Sequence, residues 1–189
     1  QPPGTPKSPR HFLVFLSLFV HKHGAAAAET SLDALQKGLF AMLLQQVVAP
    51  TLPTVTGRTE RKLCSVALTK LLCDSTSILS DQATWIKLLS LLVHYIEGGV
   101  EANGAVANGE NEMGAGAGYY SAAFAQLYYA RKVERDLLPE VADVRNYLAA
   151  SLSNLSQKQP IAAVIAQHLP ADCQTALRSY LTASNAALN

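Results

Sequence analysis

R-T-E-R-K-L-C-S-V-A-L-T-K-L-L-C, spanning Arg58 to Cys73, opens with charge after Gly57 and then turns apolar on nearly every side. Leu63, Val66, Ala67 and Leu71 form one stripe at helical spacing, and Cys64, Leu68 and Leu72 form a second beside it. A helix with two adjacent apolar stripes needs partners on both flanks, whereas a surface helix rests on one core. Inner helices of stacked arrays meet that demand, and so does the central helix of an ordinary bundle. The first reading makes the chain a solenoid built to hold another protein; this stretch alone leaves both open.

The segments on either side are helical too. On the C-terminal side, Asp81 opens a helix in which Trp85, Leu88, Leu89, Leu92, Val93 and Ile96 recur in strict i, i+3, i+4 order. On the N-terminal side, Thr30 with Asp33 three residues later reads as a helix start, an acidic variant of the capping box. Leu32, Leu35, Leu39, Met42 and Leu43 then trace a face, with Phe40, Leu44 and Val47 alongside, and Pro50 and Pro53 end this long helix.

Arg10 to Gly24 has a nine-residue run, F-L-V-F-L-S-L-F-V, between basic flanks, followed by four alanines. It reads either as a secretory signal or as a buried helix stopped at Gly24. It is too short to span a bilayer. Gln1 to Pro9 carry four prolines in nine positions and form a flexible lead-in. The chain begins with Gln1 and not Met, which reads as a piece of something longer or a processed chain.

Beyond Ile96 the pattern breaks. Gly98 to Gly118 hold seven glycines, three asparagines and three glutamates with no Lys or Arg, which predicts a flexible surface insertion. Gly114-Ala-Gly116-Ala-Gly118 has no strand before it and no lysine after it, so a nucleotide loop is disfavoured. Tyr119 to Lys132 resumes the helix, with Tyr120, Phe124, Leu127 and Tyr128 on one side. Pro139, Pro160 and Pro170 each mark a first helical turn, with Val141, Val144, Leu148, Leu152 and Leu155, then Ile161, Val164 and Ile165, then Leu177, Tyr180, Leu181 and Leu188 behind them. No segment alternates with period two. The chain is all-α.

Helix pairs beginning near Arg10 and Arg58 lie 48 residues apart, and the next begins at Tyr119. Allowing for the insertion, these spacings suit an α-solenoid of HEAT-like antiparallel helix pairs over residues 10–189.

Composition excludes several classes. The chain is 49% hydrophobic and 15% charged, which is globular, and a net charge of +1 offers no concentrated basic face for nucleic acid. Cys64, Cys73 and Cys173 have no metal spacing, and Cys64 and Cys73 are too far apart along one helix to bridge. They read as small core residues in a reducing compartment. His21-x-His23 reads as a basic helix cap and not a metal site, and His94 and His168 as core or rim histidines. There is no G-x-S-x-G elbow, and neither an enzyme nor a cofactor is expected. Asn154-Leu155-Ser156 matches a glycosylation acceptor inside a predicted helix.

Four segments resemble the C-terminal part of the cellular apoptosis susceptibility (CAS/Cse) exportins. They are F-L-V-F-L-S-L-F-V-H-K-H-G-A (Phe12 to Ala25), R-K-L-C-S-V-A-L-T-K-L-L (Arg61 to Leu72), G-Y-Y-S-A-A-F-A-Q-L-Y-Y-A (Gly118 to Ala130) and R-S-Y-L-T-A-S (Arg178 to Ser184). The resemblance keeps the family's order and spacing from Phe12 onward, and in that family the first helix belongs to the solenoid and is not a secretory signal. It implies a HEAT-repeat superhelix of the karyopherin-β type whose full-length members wrap importin-α and GTP-bound Ran, shuttle between nucleus and cytoplasm, and release both when GTP is hydrolysed. It implies no membrane insertion and a monomeric fragment. The loop before Gly118 is more acidic in relatives, whereas here only Glu101, Glu110 and Glu112 remain, so that stretch's binding role does not carry over. If the inner helices supply the contact surface, the exposed candidates are Asp33, Gln36 and Lys37 on the first and Lys87 on the second. The alternative left by the residues themselves is an unrelated HEAT-like scaffold for protein–protein interaction.

Overall fold

The computed structural model describes residues 8–105 and 136–188, with side chains from 9 to 98 and from 136 to 188. The Gly/Asn-rich stretch from 106 to 118, the predicted helix Tyr119 to Lys132 and most of the lead-in lie outside the described residues. The described elements are helical throughout: α1 (Ser8–His23), α2 (Ala25–Leu35), α3 (Leu39–Leu43), a π turn (Leu44–Val48), α4 (Ala49–Thr51), a 3-10 turn (Leu52–Thr54), α5 (Arg58–Asp74), α6 (Thr76–Ser80) and α7 (Gln82–Ala105). After residue 135 come α8 (Val144–Ser156), α9 (Ile161–His168) and α10 (Ala171–Ala183).

Helix α5 is buried nearly all round, as its two stripes require: Leu63 through Thr69, then Leu71 and Leu72, are all shielded from solvent. Two apolar clusters flank it. Leu63 and Val66 pack with Leu138 and Val141 on one side, supported by Val14, Leu18, Val144 and Tyr147. Cys64, Ala67, Leu68, Leu71 and Leu72 join the main core, with residues of α1, α7, α8 and α10.

The polar contacts fix the directions of the helices. Arg10 pairs with Glu60, Ser17 Oγ lies 3.5 Å from Cys64 Sγ, and Lys70 Nζ donates to the His21 carbonyl at 3.1 Å. Helices α1 and α5 therefore run parallel. Trp85 Nε1 donates to the Leu72 carbonyl at 2.9 Å, whereas Arg61 reaches the carbonyl and ring of Tyr95 at the other end, so α5 and α7 are antiparallel. Gln45 contacts Thr84, and Tyr95 Oη donates to the Val55 carbonyl at 2.8 Å, which sets the run from α3 to the 3-10 turn parallel to α7. Ser90 meets Cys173 and Glu97 meets Tyr180, which sets α7 parallel to α10. The result is two layers: α1, α5 and α8 in the first, and the 39–54 run, α7 and α10 in the second. Parallel neighbours within a layer and antiparallel partners between layers are the geometry of a stacked helix-pair solenoid. The fold is an all-α solenoid, as the periodicity predicts.

Five sequence expectations change. Thr30 does not start a helix; it lies within α2, which begins at Ala25 after Gly24 closes α1 with φ 88°. The helix predicted to run unbroken from Thr30 breaks at Gln36 to Gly38, where Gly38 takes a left-handed φ of 80°. That break turns the phase: Leu35 is 79% and Met42 39% exposed, while Phe40, Leu44, Val48 and Leu52 are buried. Four-residue spacing drifts by about 40° per step on a regular helix. The wider π turn takes up much of that drift and keeps the four side chains on one face. It also lies immediately before Pro50, whose ring crowds the Gln46 carbonyl and offers it no N–H; the helical path continues through Pro50 instead of ending there.

Pro139 lies in a turn from Leu138 to Val141 and does not begin a helix. Helix α8 starts at Val144, where Asp143 Oδ1 accepts from the N–H groups of Arg145 and Asn146 at 2.7 and 3.4 Å. Finally, α7 does not stop at Gly98 but continues to Ala105, so the predicted insertion starts later than its glycines suggest. A glycine costs only about 1 kcal/mol in a helix interior, little against the cooperative extension of a well-packed helix.

All three cysteines are free, and burial pushes the Cys73 thiol up to about 12, in keeping with small core residues. No helix among the described residues is long and apolar enough to cross a membrane.

Truncating Leu72 to Ala, with its side chain at 0% exposure, is expected to cost about 2–5 kcal/mol in urea denaturation, because few neighbours can collapse into the gap. Leu35→Ala is expected to stay within about 0.5 kcal/mol of the parent. Equal costs at the two positions would refute the phase change at Gln36 to Gly38.

Candidate partner-binding surface

The predicted contact residues divide into two groups. Asp33, half-buried near the end of α2, accepts a hydrogen bond from the Phe40 N–H at 3.0 Å and so caps the start of α3. There it holds the break between α2 and α3. Gln36 and Lys37 are exposed at that break, beside the exposed Leu35. Lys87 is exposed on α7, one helical turn beyond Thr84, the residue that meets Gln45. Gln36 and Lys37 thus precede the 39–54 run, and Lys87 sits on the next helix of the same layer. Among the described residues neither lysine has an ion-pair partner.

Two further clusters come from residues far apart in sequence. Arg145 Nη2 pairs with Glu97 Oε1 at 3.0 Å, Tyr180 Oη donates to the same oxygen, and the guanidinium lies 5.6 Å from the Tyr180 ring centre. Burial and the neighbouring Glu97 push the Tyr180 hydroxyl above its ordinary range, so it stays a neutral donor. His94 Nε2 lies 2.7 Å from Asp172 Oδ2 above the buried Cys173. His94 is therefore at the rim with an acidic partner, and His168 is exposed at the end of α9. His21 lies 3.8 Å from Glu140, an acid the local sequence does not show. An apolar groove between α7 and α9 is lined by Leu79, Trp85, Ile161 and Val164, with Gln82 and Gln159 at its edge. Its lining contains no acid, base or nucleophile, so the groove carries no catalytic constellation. Spacing along one helix could not have found these clusters, because each joins residues more than 45 positions apart.

The family model described as CAS/CSE protein, C-terminus, matches residues 1–180. The chain belongs to the CAS/CSE family. It is 33% identical over 193 residues to Exportin-2 of Xenopus laevis, and 31% identical over 191 residues to Exportin-2 of Mus musculus and of Homo sapiens. These alignments cover 97% of this chain and 19% of each relative, so the chain spans about a fifth of the length of the curated relatives it matches. The relatives of this CAS/CSE chain are named as exportins. An unrelated scaffold is set aside by the same match.

Three carboxylates tune the pH response of this surface. A side-chain hydrogen bond holds each below its ordinary range: Thr84 for Asp81, Lys62 for Asp136 and His94 for Asp172. A depressed folded value contributes stability above the unfolded carboxylate range, about pH 4, and loses it as pH falls through the folded value. The urea midpoint should therefore be insensitive to these groups near neutrality and fall on the acid side of about pH 4. In the variant carrying Asp81→Asn, Asp136→Asn and Asp172→Asn, the acid-side fall should be shallower. An unchanged acid slope in that variant would show that these three pairs contribute nothing.

Proposed function

We propose that the chain is the C-terminal section of a nuclear export receptor that carries importin-α out of the nucleus with GTP-bound Ran, shuttling between nucleus and cytoplasm through nuclear pores. The observation that carries this reading is the two-layer stack itself, found in a chain of the CAS/CSE family. In such a stack each helix pair touches only its neighbours, so small rotations per pair add up to a large change in curvature. Cargo and Ran that favour the same curvature assist each other's binding without direct contact, and loss of one weakens the other by the same factor. No chemical step by the receptor is needed, and no cofactor: hydrolysis on Ran supplies the switch. Gln36, Lys37 and Lys87 are the proposed contacts of this section, with Asp33 supporting them by holding the α2–α3 break. On its own the section is a monomer with little grip, because binding is spread along the whole receptor.

Full-length receptor immobilised with GTP-locked Ran should capture importin-α, and without Ran it should not. Ran-independent capture, or none in either case, would remove the export reading. Lys37→Ala with Lys87→Ala is expected to weaken capture by about fivefold, near 1 kcal/mol, with a shallower salt dependence. The isolated 189-residue chain should bind importin-α no more tightly than about 1 μM in calorimetry. Submicromolar binding would place a self-sufficient cargo site here.

A further inference from the structure

We infer that His94, Asp172 and Cys173 form a zinc(II) site that ties α7 to α10. One ligand atom from each residue lies within 4.8 Å of the other two. Cys173 Sγ is 3.6 Å from His94 Nε2, and that nitrogen is 2.7 Å from Asp172 Oδ2. A tetrahedral zinc with Zn–S of about 2.3 Å and Zn–N of about 2.0–2.1 Å holds sulfur and nitrogen about 3.5 Å apart. Cys173 Sγ lies equally 3.6 Å from His94 Nδ1, so the exposed ring must swing for Nε2 and the sulfur to share one ion. The His–Asp pair opens by about half an ångström to admit the ion, since two tetrahedral ligands at about 2.0–2.1 Å are spaced by about 3.3 Å. Both of those side chains are exposed, at 55% and 65%, and free to make that move.

The donor set is one thiolate, one imidazole and one carboxylate, a combination that suits zinc better than magnesium or calcium. Water completes the fourth position from the open side. The buried thiol forms the floor of the site, and Ser90 Oγ, 3.5 Å from both Sγ and His94 Nδ1, steadies sulfur and ring together. Asp172 and Cys173 stand in the first turn of α10, near its positive end, but burial pushes the Cys173 thiol up, so the metal itself must displace its proton. On binding, the Cys173 thiol proton and any proton on His94 Nε2 leave to solvent, and zinc takes their places.

A surface ion pair between His94 and Asp172 explains the 2.7 Å contact without metal, and it is the alternative the experiment must separate. It gives no reason for the thiol beneath the ring. The inference stands independently of the export reading, because none of its ligands is among Gln36, Lys37 and Lys87. Bound zinc would pin the step between two successive second-layer helices.

The test is titration of the reduced 189-residue chain with cobalt(II), a spectroscopic stand-in for zinc. The expected result is a thiolate-to-cobalt charge-transfer band that zinc abolishes by competition. The band should vanish in Cys173→Ser and persist in Cys64→Ser and Cys73→Ser. His94→Gln and Asp172→Asn should each weaken zinc binding by at least about tenfold, the loss that even an outer-sphere partner causes. Circular dichroism checks that each variant is folded. Zinc X-ray absorption on the unaltered chain gives a second readout, expected to show one sulfur and otherwise nitrogen or oxygen neighbours. No charge-transfer band, a band that survives Cys173→Ser, or a zinc shell without sulfur would each overturn the site.

Discussion

The structure depends on one helix having no solvent side to spare. Seven consecutive residues of α5, from Leu63 to Thr69, are buried, and Leu71 and Leu72 follow. Two of the seven are polar, Ser65 and Thr69, and Thr69 is satisfied within the helix: its Oγ1 donates to the Ser65 carbonyl at 2.8 Å. Covering such a cylinder takes neighbours on both flanks and from the second layer. That requirement forces the chain into a row, since each neighbour that covers α5 exposes a further flank of its own.

Apolar burial makes the layers adhere but does not set their register. The polar contacts do that. Glu29 of α2 reaches across to the start of α6, accepting from Ser75 Oγ at 2.8 Å and from the Ser77 N–H at 3.1 Å. Trp85 buries its ring in the core and spends its single N–H on the Leu72 carbonyl. Tyr95 does the same with the Val55 carbonyl, under the Arg61 guanidinium. A slip of one residue between pairs would strand several of these groups in apolar surroundings, at a cost of about 1–3 kcal/mol each.

Most of this was legible in the sequence where packing and periodicity agree. The stripes of α5 and the order of Trp85 to Ile96 on α7 are period arguments, and the buried residues follow them. The region from Thr30 to Pro53 was misread because local signals there conflict. Thr30 and Asp33 look like a cap, yet Asp33 serves a helix that starts six residues later, at Leu39. Pro50 looks like a stop, yet a π turn lets the path continue. Gly98 looks like a boundary, but propensity is a weak force against an established helix. The contact surface was legible only as exposed polar positions. The meeting of His94 with Asp172 and Cys173 required the stacking of α7 on α10, a tertiary fact with no trace in spacing.

The directions of the helices carry an electrical consequence. Each helix places about half a positive charge at its beginning and half a negative charge at its end. With α1 and α5 pointing one way and α7 and α10 the other, the two layers oppose each other's fields. A row built this way can lengthen without accumulating polarity along either edge. The long-range attraction of the array for other molecules is thereby left to its surface side chains.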